Sequence, residues 1–317
     1  MTAIDRIVTV TLNPTIDRLI ETPGLTLGAH QKGRLLSRRP AGKAINVSRA
    51  LATLGVPSLP VGWVGRDEHA LFDEEVRAMG LTPRFIPIAD RSRDNITLID
   101  PQAGMATHIR DVGPRISPSE LSALFDVLDE VAGPGAAIVF NGSTPDGLSP
   151  SDFAAMLKRV AAAGAALVVD TSGEALRAAV KERLFLLKVN EEELTEAVGE
   201  HDDIGTAGES LAVNVDNVLI SLGESGAMLI SGDTVLRANA PALPSPVLST
   251  VGCGDSMLAG FLAALIKGEP LEECTARSVA VGSASALALA PGEFKPNIMN
   301  TLIPGVAVSS ERRAHAP

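Results

Sequence analysis

The residues best suited to chemistry lie at 249–256, with the sequence Ser-Thr-Val-Gly-Cys-Gly-Asp-Ser, directly before an apolar stretch at 257–266 that has helical spacing. Gly252 and Gly254 therefore fall at a helix start, where main-chain amides lack intrahelical acceptors and the helix dipole is positive. Such an end binds phosphoryl groups, and glycine lets them approach closely. Asp255 would repel a bound phosphate, but it could take a proton from an attacking hydroxyl group. The segment predicts a phosphoryl-transfer centre.

The same segment also has a purely structural interpretation. Asp255 could simply cap the helix, and the two glycines could form a tight turn. Short glycine motifs often occur without any function. The choice between the two interpretations depends on the other polar residues of the chain.

A basic region stands out in this acidic chain, whose net charge is −11. Such a patch could concentrate an anionic substrate. The alternative is an exposed strand face with solvated charges, and only Lys43, beside a predicted helix start, clearly favours the first interpretation. No Asp or Glu occurs between Thr22 and Gly65, where six cations fall: Lys32, Arg34, Arg38, Arg39, Lys43 and Arg49.

Two polar groups near the beginning of the chain could bind a substrate. Asp17 follows the first predicted strand and could accept hydrogen bonds from a polyol. The sequence Ala-Gly-Lys-Ala-Ile-Asn at 41–46 opens a predicted helix, so its amides and Lys43 could bind a phosphate. It is not a Walker A loop, because Ser37 and Ala44 stand where that motif needs glycine and Ser or Thr.

Three later strand ends also carry polar residues. Asn190 and Glu193 open an acidic helix start, which is ordinary dipole complementation but could also hold Mg²⁺ through water. The glycine turn at 221–226 could form a plain hairpin or hold the ribose and phosphates of a nucleotide. The turn at 141–145 is a third strand-end loop, with a weaker functional case.

Composition restricts the class of protein. The 317 residues are 45% hydrophobic but only 3% aromatic, which suits buried parallel strands between alanine-rich helices. The negative charge argues against nucleic acid or an anionic membrane as a partner. Two cysteines and five scattered histidines predict neither a disulfide framework nor a zinc site. The sequence shows no membrane-spanning run and no signal peptide, so we expect a cytoplasmic protein.

The elements that must position these residues alternate between strand and helix. This order predicts an α/β fold with a mainly parallel sheet covered by helices on both faces, and ligands at the carboxyl ends of its strands. Two segments, 18–39 and 84–110, do not follow this alternation of strand and helix. They contain short β-like pieces and predict a small antiparallel lid. We expect a single domain over 1–317 with a loosely ordered tail at 306–317. Strands are predicted at 7–12, 59–64, 137–140, 166–170, 185–188 and 218–222, and helices at 44–54, 68–79, 118–131, 150–163, 191–198, 257–266 and 271–289.

The order of these motifs resembles that of the ribokinase/PfkB sugar kinases, and especially the branch that includes the 1-phosphofructokinases and tagatose-6-phosphate kinases. The resemblance spans nearly the whole chain, and the last of its motifs is the most specific. The motifs are TLNPTID at 11–17, AGKAINVSRAL at 41–51, VGRD at 64–67, TSGEAL at 171–176, KVNEEEL at 188–194, SLGESGA at 221–227 and STVGCGDS at 249–256.

The resemblance implies a ribokinase-like fold and ATP-dependent phosphorylation of a ketohexose phosphate, foremost fructose 1-phosphate to fructose 1,6-bisphosphate. Tagatose 6-phosphate and fructose 6-phosphate are alternative substrates. It also implies Mg²⁺ and a homodimer formed through the lid. The implied catalytic base is Asp255, with an anion hole at Gly252, Cys253 and Gly254. The sugar phosphate would be held by Asp17, Gly42, Lys43, Asn46, Arg93 and Ser143. The nucleotide would be held by Lys188, Asn190, Ser221, Leu222, Gly223, Glu224, Gly226 and Thr250, and the metal by Asn190 and Glu193.

Four departures from the family pattern keep other functions open. Ala44 replaces a usual glycine and could narrow the approach of the sugar phosphate, Val189 replaces a proline, and Asn141 replaces a serine. Cys253 replaces an alanine, and its place at a helix start predicts a lowered thiol pKa. The alternatives are a kinase of an unphosphorylated sugar or nucleoside, and a catalytically silent sugar-phosphate sensor.

Overall fold

The computed structural model describes residues 4–313, which form a ten-stranded main sheet and a four-stranded small sheet. The strands of both sheets are β1 (Arg6–Thr11), β2 (Thr15–Glu21), β3 (Arg34–Ala41), β4 (Ser58–Gly65), β5 (Arg84–Ile88), β6 (Arg93–Asp100), β7 (Met105–Arg110), β8 (Ala136–Asn141), β9 (Ala166–Asp170), β10 (Leu184–Asn190), β11 (Val215–Ser221), β12 (Ala227–Ser231), β13 (Thr234–Ala238) and β14 (Val308–Arg312). The helices are α1 (Lys43–Thr53), α2 (His69–Ala78), α3 (Pro118–Val131), α4 (Pro150–Ala162), α5 (Gly173–Ala179), α6 (Glu191–Val198), α7 (Ile204–Leu211), α8 (Cys253–Leu265), α9 (Leu271–Ser285) and α10 (Pro296–Leu302).

The main sheet has the order β14-β13-β12-β11-β10-β9-β8-β1-β4-β5. Seven neighbouring strands pair in parallel, in the order β11-β10-β9-β8-β1-β4-β5. The strands β12, β13 and β14 extend the β11 edge in antiparallel fashion. Helices connect the parallel strands, as the alternation of elements predicts. The prediction of a mainly parallel α/β sheet is therefore confirmed, and the carboxyl ends of β1, β8, β9, β10 and β11 lie along one edge.

Helices cover both faces of this sheet because successive side chains of a buried strand point to opposite faces. In β8, Ile138 and Phe140 belong to the core beneath α3 to α7, whereas Ala137 and Val139 belong to the core beneath α1, α8, α9 and α10. Small residues let α8 and α9 approach closely, since a Cβ on Gly282 would lie 2.3 Å from the Met257 side chain. The two cores hold the strand ends in fixed positions.

Two predicted helix starts have the expected hydrogen bonds. Ser117 and Glu120 form a reciprocal capping box at α3, with Pro118 in the first turn. Ser149 likewise accepts a hydrogen bond from the Asp152 amide at α4. Both helices begin where the sequence predicts.

The small sheet differs from the predicted lid in its bounds and in its pairing. Its order is β3-β2-β6-β7, and its central pair β2 and β6 is parallel rather than antiparallel. The predicted lid segment 84–110 was wrong at its start, because 84–88 is β5 at the edge of the main sheet. Phe85 and Ile88 are buried there and anchor this strand to the core. The small sheet also begins earlier than predicted, at Thr15, and β3 ends only at Ala41.

The end of the chain is also more ordered than predicted. The expectation of a loose tail at 306–317 was wrong for β14, which pairs with β13 and so covers an otherwise open sheet edge. Positions 314–317 lie outside the described residues. Among the helices between residues 4 and 313, none combines the length and the apolar character that crossing a bilayer requires.

Candidate active site

The start of α8 has the geometry that the glycine motif predicts. Gly252 precedes the helix with φ of 81°, and a Cβ there would lie 2.6 Å from the Pro291 side chain, so only glycine fits. Gly254 and Asp255 are the second and third helical residues, whose amides have no intrahelical acceptor. The Cys253 amide, by contrast, donates to the Thr250 carbonyl at 3.3 Å. The main-chain amides of the first turn that lack a hydrogen-bond acceptor therefore begin at Gly254; they are called the bare amides of α8 below.

The Asp255 carboxylate does not cap its own helix, which contradicts the interpretation of this residue as a helix cap. It is 4% exposed, and each of its oxygens accepts a hydrogen bond from an asparagine amide. Asn46 Nδ2, from α1, donates to Oδ2 at 2.8 Å. Asn141 Nδ2, from the end of β8, donates to Oδ1 at 3.2 Å. The carboxylate is thus held in one orientation by side chains from two other elements.

Four charged side chains lie near this carboxylate: Asp170, Lys188 and Glu193 are buried, and Lys43 is partly exposed. Asp170, at the end of β9, is fully buried and lies 3.2 Å from Lys43 Nζ and 3.1 Å from Lys188 Nζ. Glu193 is farther away, 3.7 Å from Lys43 Nζ and 4.0 Å from Lys188 Nζ. Asp170 therefore holds both ammonium groups near Asp255.

The pKa values follow from this arrangement. Burial raises the pKa of Asp255 to about 6, and the neighbouring Asp170 adds to the shift, although Lys43 and Asn46 oppose it. Burial alone would also raise the pKa of Asp170, but Lys188 and Lys43 outweigh it and lower that pKa. Asp170 in turn raises the pKa of Lys43. Near neutral pH, Asp255 is therefore an ionised carboxylate of unusually high basicity.

The prediction of a lowered thiol pKa at Cys253 was wrong. Burial, followed by the charge of Asp255, raises the pKa of this thiol to about 11. These two effects outweigh the hydrogen bond with Ser285, which by itself would lower the thiol pKa. Cys253 is therefore a neutral thiol at physiological pH, and its amide, which donates to the Thr250 carbonyl, is not free to join the predicted anion hole.

The lack of a side chain at Gly254 allows the Lys188 ammonium group to lie beside the start of α8. A Cβ at this position would lie 2.7 Å from Lys188 Nζ, so the absence of a side chain lets the ammonium group sit against the first turn. Lys188 itself is only 4% exposed. The helix amides and this ammonium group together form a positive site beside the Asp255 carboxylate.

The small sheet forms the opposite wall. Asp17 accepts hydrogen bonds from Thr15 Oγ1 at 2.5 Å and from Asn95 Nδ2 at 3.2 Å. Arg93 lies on the neighbouring strand, where its Nε atom is buried and has no hydrogen-bond partner. Burial lowers the pKa of Arg93, although Asp17 opposes the shift. This wall therefore offers both a carboxylate and a guanidinium group to a ligand.

One cleft of about 1300 Å³ runs between the two walls, and it is lined by every predicted site residue except Leu222. The Leu222 side chain packs against the main core instead. The Ser143 hydroxyl accepts a hydrogen bond from Asn13 Nδ2 at 3.1 Å. Prediction from the sequence missed Asn95, Arg110 and Asn141 as cleft residues, although Asn141 stands at a predicted strand end.

The predicted metal residues make structural contacts as well. Asn190 and Glu193 form a capping box at α6, with hydrogen bonds of 2.7 Å and 2.9 Å. Between residues 4 and 313 there is no group of three His, Cys, Asp or Glu side chains arranged to hold a metal ion. A cation at this site would therefore need ligands from a bound phosphate and from water.

Comparison with known proteins agrees with this geometry. The sequence pattern of the pfkB family carbohydrate kinases matches residues 10–297. The chain is 32% identical to a 1-phosphofructokinase of Bacillus subtilis over 310 residues, covering 96% of this chain and 99% of that protein. Phosphofructokinase-2 of Escherichia coli superposes with a TM-score of 0.89 at 26% identity, covering 95% and 99% of the two chains. A tetrameric inhibited form of that protein superposes with a TM-score of 0.85 at 27% identity, again covering 95% and 99%. The chain belongs to the pfkB family of carbohydrate kinases.

Proposed function

We propose that this kinase transfers the γ-phosphoryl group of ATP to a hydroxyl group of a ketohexose phosphate, with fructose 1-phosphate as the preferred acceptor and fructose 1,6-bisphosphate as the product. The observation that carries the proposal is the buried Asp255 carboxylate beside the bare amides of α8, in one cleft with the basic wall of the small sheet. The 1-phosphofructokinase relative supports the choice of acceptor. We also propose that the reaction takes place in the cytoplasm, where ATP and sugar phosphates are made.

Asp255 is the proposed general base. Its raised pKa of about 6 matches the task, because it is ionised at neutral pH yet basic enough to accept the proton of a hydroxyl group. The bare amides of Gly254 and Asp255, together with Lys188, would stabilise the charge on the transferring phosphoryl group. Lys43, which Asp170 holds near Asp255, would face the same group.

The nucleotide would occupy the cleft between the 221–226 turn and the loop before α8. Ser221, Gly223, Glu224, Gly226 and Thr250 line this half. The proposed adenine site beside them is apolar, as suits a purine ring. Its lining residues are Leu243, Val247, Val251, Val279 and Ala286.

Mg²⁺ fits this site only as an ion held mainly by phosphate. Glu193 Oε2 accepts a hydrogen bond from the Asn190 amide, and Glu193 Oε1, which lies 3.7 Å from Lys43 Nζ, is the oxygen that would face a hydrated cation. Mg²⁺ keeps several waters and commonly takes one or two carboxylates besides substrate phosphates, so this donor set is compatible. When bound, the ion would neutralise charge on the phosphates.

The acceptor would lie between Asp255 and the small sheet. Asp17 would accept hydrogen bonds from sugar hydroxyl groups, and Ser143 and Gly42 would contact the far end of the sugar phosphate. Arg93, whose buried Nε lacks a partner, would bind the phosphate. Closure of the small sheet over the cleft would exclude water and limit ATP hydrolysis.

A coupled ADP-release assay tests the proposal. Fructose 1-phosphate, fructose 6-phosphate, tagatose 6-phosphate and unphosphorylated fructose are compared at saturating MgATP. We expect the highest kcat/KM with fructose 1-phosphate and the lowest with fructose. A preference for fructose would favour a kinase of an unphosphorylated sugar, and the absence of ADP release with every acceptor would favour a catalytically silent sugar-phosphate sensor.

The pKa of Asp255 predicts an acid limit to catalysis. Since the base must be ionised, kcat/KM with fructose 1-phosphate should fall about tenfold per pH unit below about 6 and stay flat above about 7. Initial rates in overlapping buffers at constant ionic strength check this. A midpoint near 4, the ordinary range of an aspartate, would contradict the assignment of Asp255 as the buried base.

Arg110 should strengthen binding of the acceptor phosphate. It lines the cleft on β7, directly across from Asn95, and no carboxylate lies within 4.0 Å of it in the described chain. Charge-assisted hydrogen bonds are worth about 1.5–3 kcal/mol, so Arg110→Ala should raise the KM for fructose 1-phosphate roughly tenfold or more, with the KM for ATP unchanged. Arg38→Ala is the matched control, because Arg38 is exposed on β3 and does not line the cleft. Equal effects of both substitutions would contradict the prediction.

We also propose that two copies of the chain associate through the small sheet. Its outer strands expose Leu35 and Leu36 on β3 and Met105 and Ile109 on β7, at 42–64% of their surface. Apolar area of this kind on a small sheet indicates a contact surface. The tetrameric form of the Escherichia coli relative shows that a structurally similar chain assembles.

Charge on this surface should prevent the association. The double substitution Leu35→Glu and Ile109→Glu is expected to convert a dimer to a monomer at micromolar concentration, as measured by sedimentation velocity. Val213→Glu is the control, since Val213 is 79% exposed between α7 and β11. A monomeric wild-type protein, or a double variant that remains dimeric, would contradict the proposal.

A further inference from the structure

A buried arginine lies behind the proposed catalytic base. Arg49, on α1, is only 6% exposed and is absent from the cleft lining. Its Nη1 atom donates to Asn46 Oδ1 at 3.1 Å and to the Pro291 carbonyl at 3.1 Å. Its Nη2 atom donates to Glu75 at 3.0 Å. Arg49 is thus tied to α2, to the loop before α10 and to the asparagine that contacts Asp255.

The chemistry of the guanidinium group fixes the orientation of the Asn46 amide. Arginine only donates hydrogen bonds, so the face of the amide that meets Arg49 must be its oxygen. The opposite face must then be the NH₂ group, and this group points at Asp255 Oδ2. An NH₂ group can donate to a carboxylate but cannot accept the proton of a carboxylic acid. Asn46, held in this way, favours the ionised form of Asp255.

Asn141 shows what happens without such a partner. It also donates to Asp255, but its own Oδ1 has no hydrogen-bond partner, so only Asp255 determines its orientation. Its amide could turn over and accept a hydrogen bond from a protonated Asp255. The two amides that hold the carboxylate therefore differ, and the difference is Arg49.

We propose that Arg49 is a positioning residue that locks the Asn46 amide and thereby keeps Asp255 ionised and correctly oriented as the base. The inference rests on the proposed function. Arg49 contacts neither the sugar phosphate nor the nucleotide in this account, and it acts through Asn46. The anchoring of Arg49 by Glu75 and by the Pro291 carbonyl explains why a charged side chain is retained at a buried position.

Other charges around the two groups must be separated from this effect. Asp255 faces Lys43 on α1, Asp170 on β9, Lys188 on β10 and Cys253 on its own helix. Arg49 faces Glu75 on α2 and is close to Arg39 and Glu293. Arg39 shares Glu75 with Arg49 but does not contact Asn46. Arg39→Met therefore removes a neighbouring cation and leaves the hydrogen bond between Arg49 and Asn46 intact.

The test is the pH profile of kcat/KM for fructose 1-phosphate in the full-length protein with saturating MgATP. Two or three NH donors can lower a carboxyl pKa by roughly two units, so loss of one fixed donor in Arg49→Met should move the acid limb up by about one unit. The variant would then be about tenfold less active than the wild-type protein well below the limb. Arg49→Lys, which can still donate to Asn46, should return the acid limb of the pH profile to its wild-type position. Arg39→Met should leave the acid limb at the wild-type position.

The inference would be overturned if a folded Arg49→Met variant kept the acid limb of its pH profile at the wild-type position. An equal shift of the acid limb in Arg39→Met would overturn it as well. Thermal denaturation establishes that each variant is folded. If Arg49→Met does not fold, Arg49→Leu, which is neutral and has no group that can donate to Asn46, is measured with the same expected shift. A wild-type protein that phosphorylates no sugar phosphate would instead refute the proposed function, so the two failures are distinguishable.

Discussion

Asp255→Asn is expected to lower kcat with fructose 1-phosphate by at least about a hundredfold, the lower end for loss of general base catalysis. The substitution keeps the size of the side chain and an oxygen that can accept a hydrogen bond, but it removes the proton acceptor. Affinity for ATP should change little, because the amides of the first turn and Lys188 remain in place. Steady-state rates and equilibrium binding of MgATP provide the two measurements.

A second carboxylate at a helix start serves as the control. Asp203 accepts a hydrogen bond from the Thr206 amide and so caps α7 in the ordinary way. Asp203→Asn should leave turnover unchanged. If Asp255→Asn retains near-normal turnover, or if both variants lose activity equally, Asp255 is not the base.

Asp170→Asn is expected to destabilise the fold by about 3–5 kcal/mol, the cost of leaving a buried charge without its partner. Asp170 is fully buried and is the nearest anion to both Lys43 and Lys188. Its removal leaves the buried Lys188 ammonium group without its nearest anion, whereas the Lys43 side chain is 40% exposed and can be solvated. Urea denaturation at neutral pH measures the free energy of unfolding.

A surface ion pair gives the comparison. Arg84 and Glu130 approach to 2.6 Å, and their side chains are 39% and 63% exposed, so Glu130→Gln should cost less than about 1 kcal/mol. If Asp170→Asn costs no more than Glu130→Gln, the buried cluster does not hold the two lysines as described. Loss of activity in Asp170→Asn without loss of stability would also contradict this prediction.

The sequence predicted those elements whose signals are local. Alternation of short apolar strands with capped helices was enough for the main sheet, because each strand is buried on both faces and each helix carries its own start signal. The helices α5, α7 and α10 were missed. Each is only seven or eight residues long, which is too short for a reliable helical period.

Pairing between distant segments was not predictable. The parallel register of β2 with β6 joins Thr15 to Arg93, and nothing in either strand specifies this partner. Likewise, β5 has a β-like composition similar to that of β6, and its pairing with β4 and the packing of Phe85 against Phe72 become visible only in the structure. Such contacts depend on tertiary packing.

The candidate site divides in the same way. Asp255 was predicted from the pattern of a helix start, whereas Asn46 and Lys188 were named only through the resemblance to the sugar kinases. Arg49 was noted only as one of six cations, because its contact with the Asn46 oxygen depends on the fold. Asn141 was noted as a departure from the family pattern, and its hydrogen bond to Asp255 became visible only in three dimensions.

The central claim is that the γ-phosphoryl group passes from ATP to a sugar hydroxyl group rather than to water. Phosphorus NMR of a reaction that contains the wild-type protein, MgATP and fructose 1-phosphate tests this most directly. We expect one fructose 1,6-bisphosphate for each ADP, with little inorganic phosphate. ADP accompanied only by inorganic phosphate, or no consumption of ATP, would contradict it.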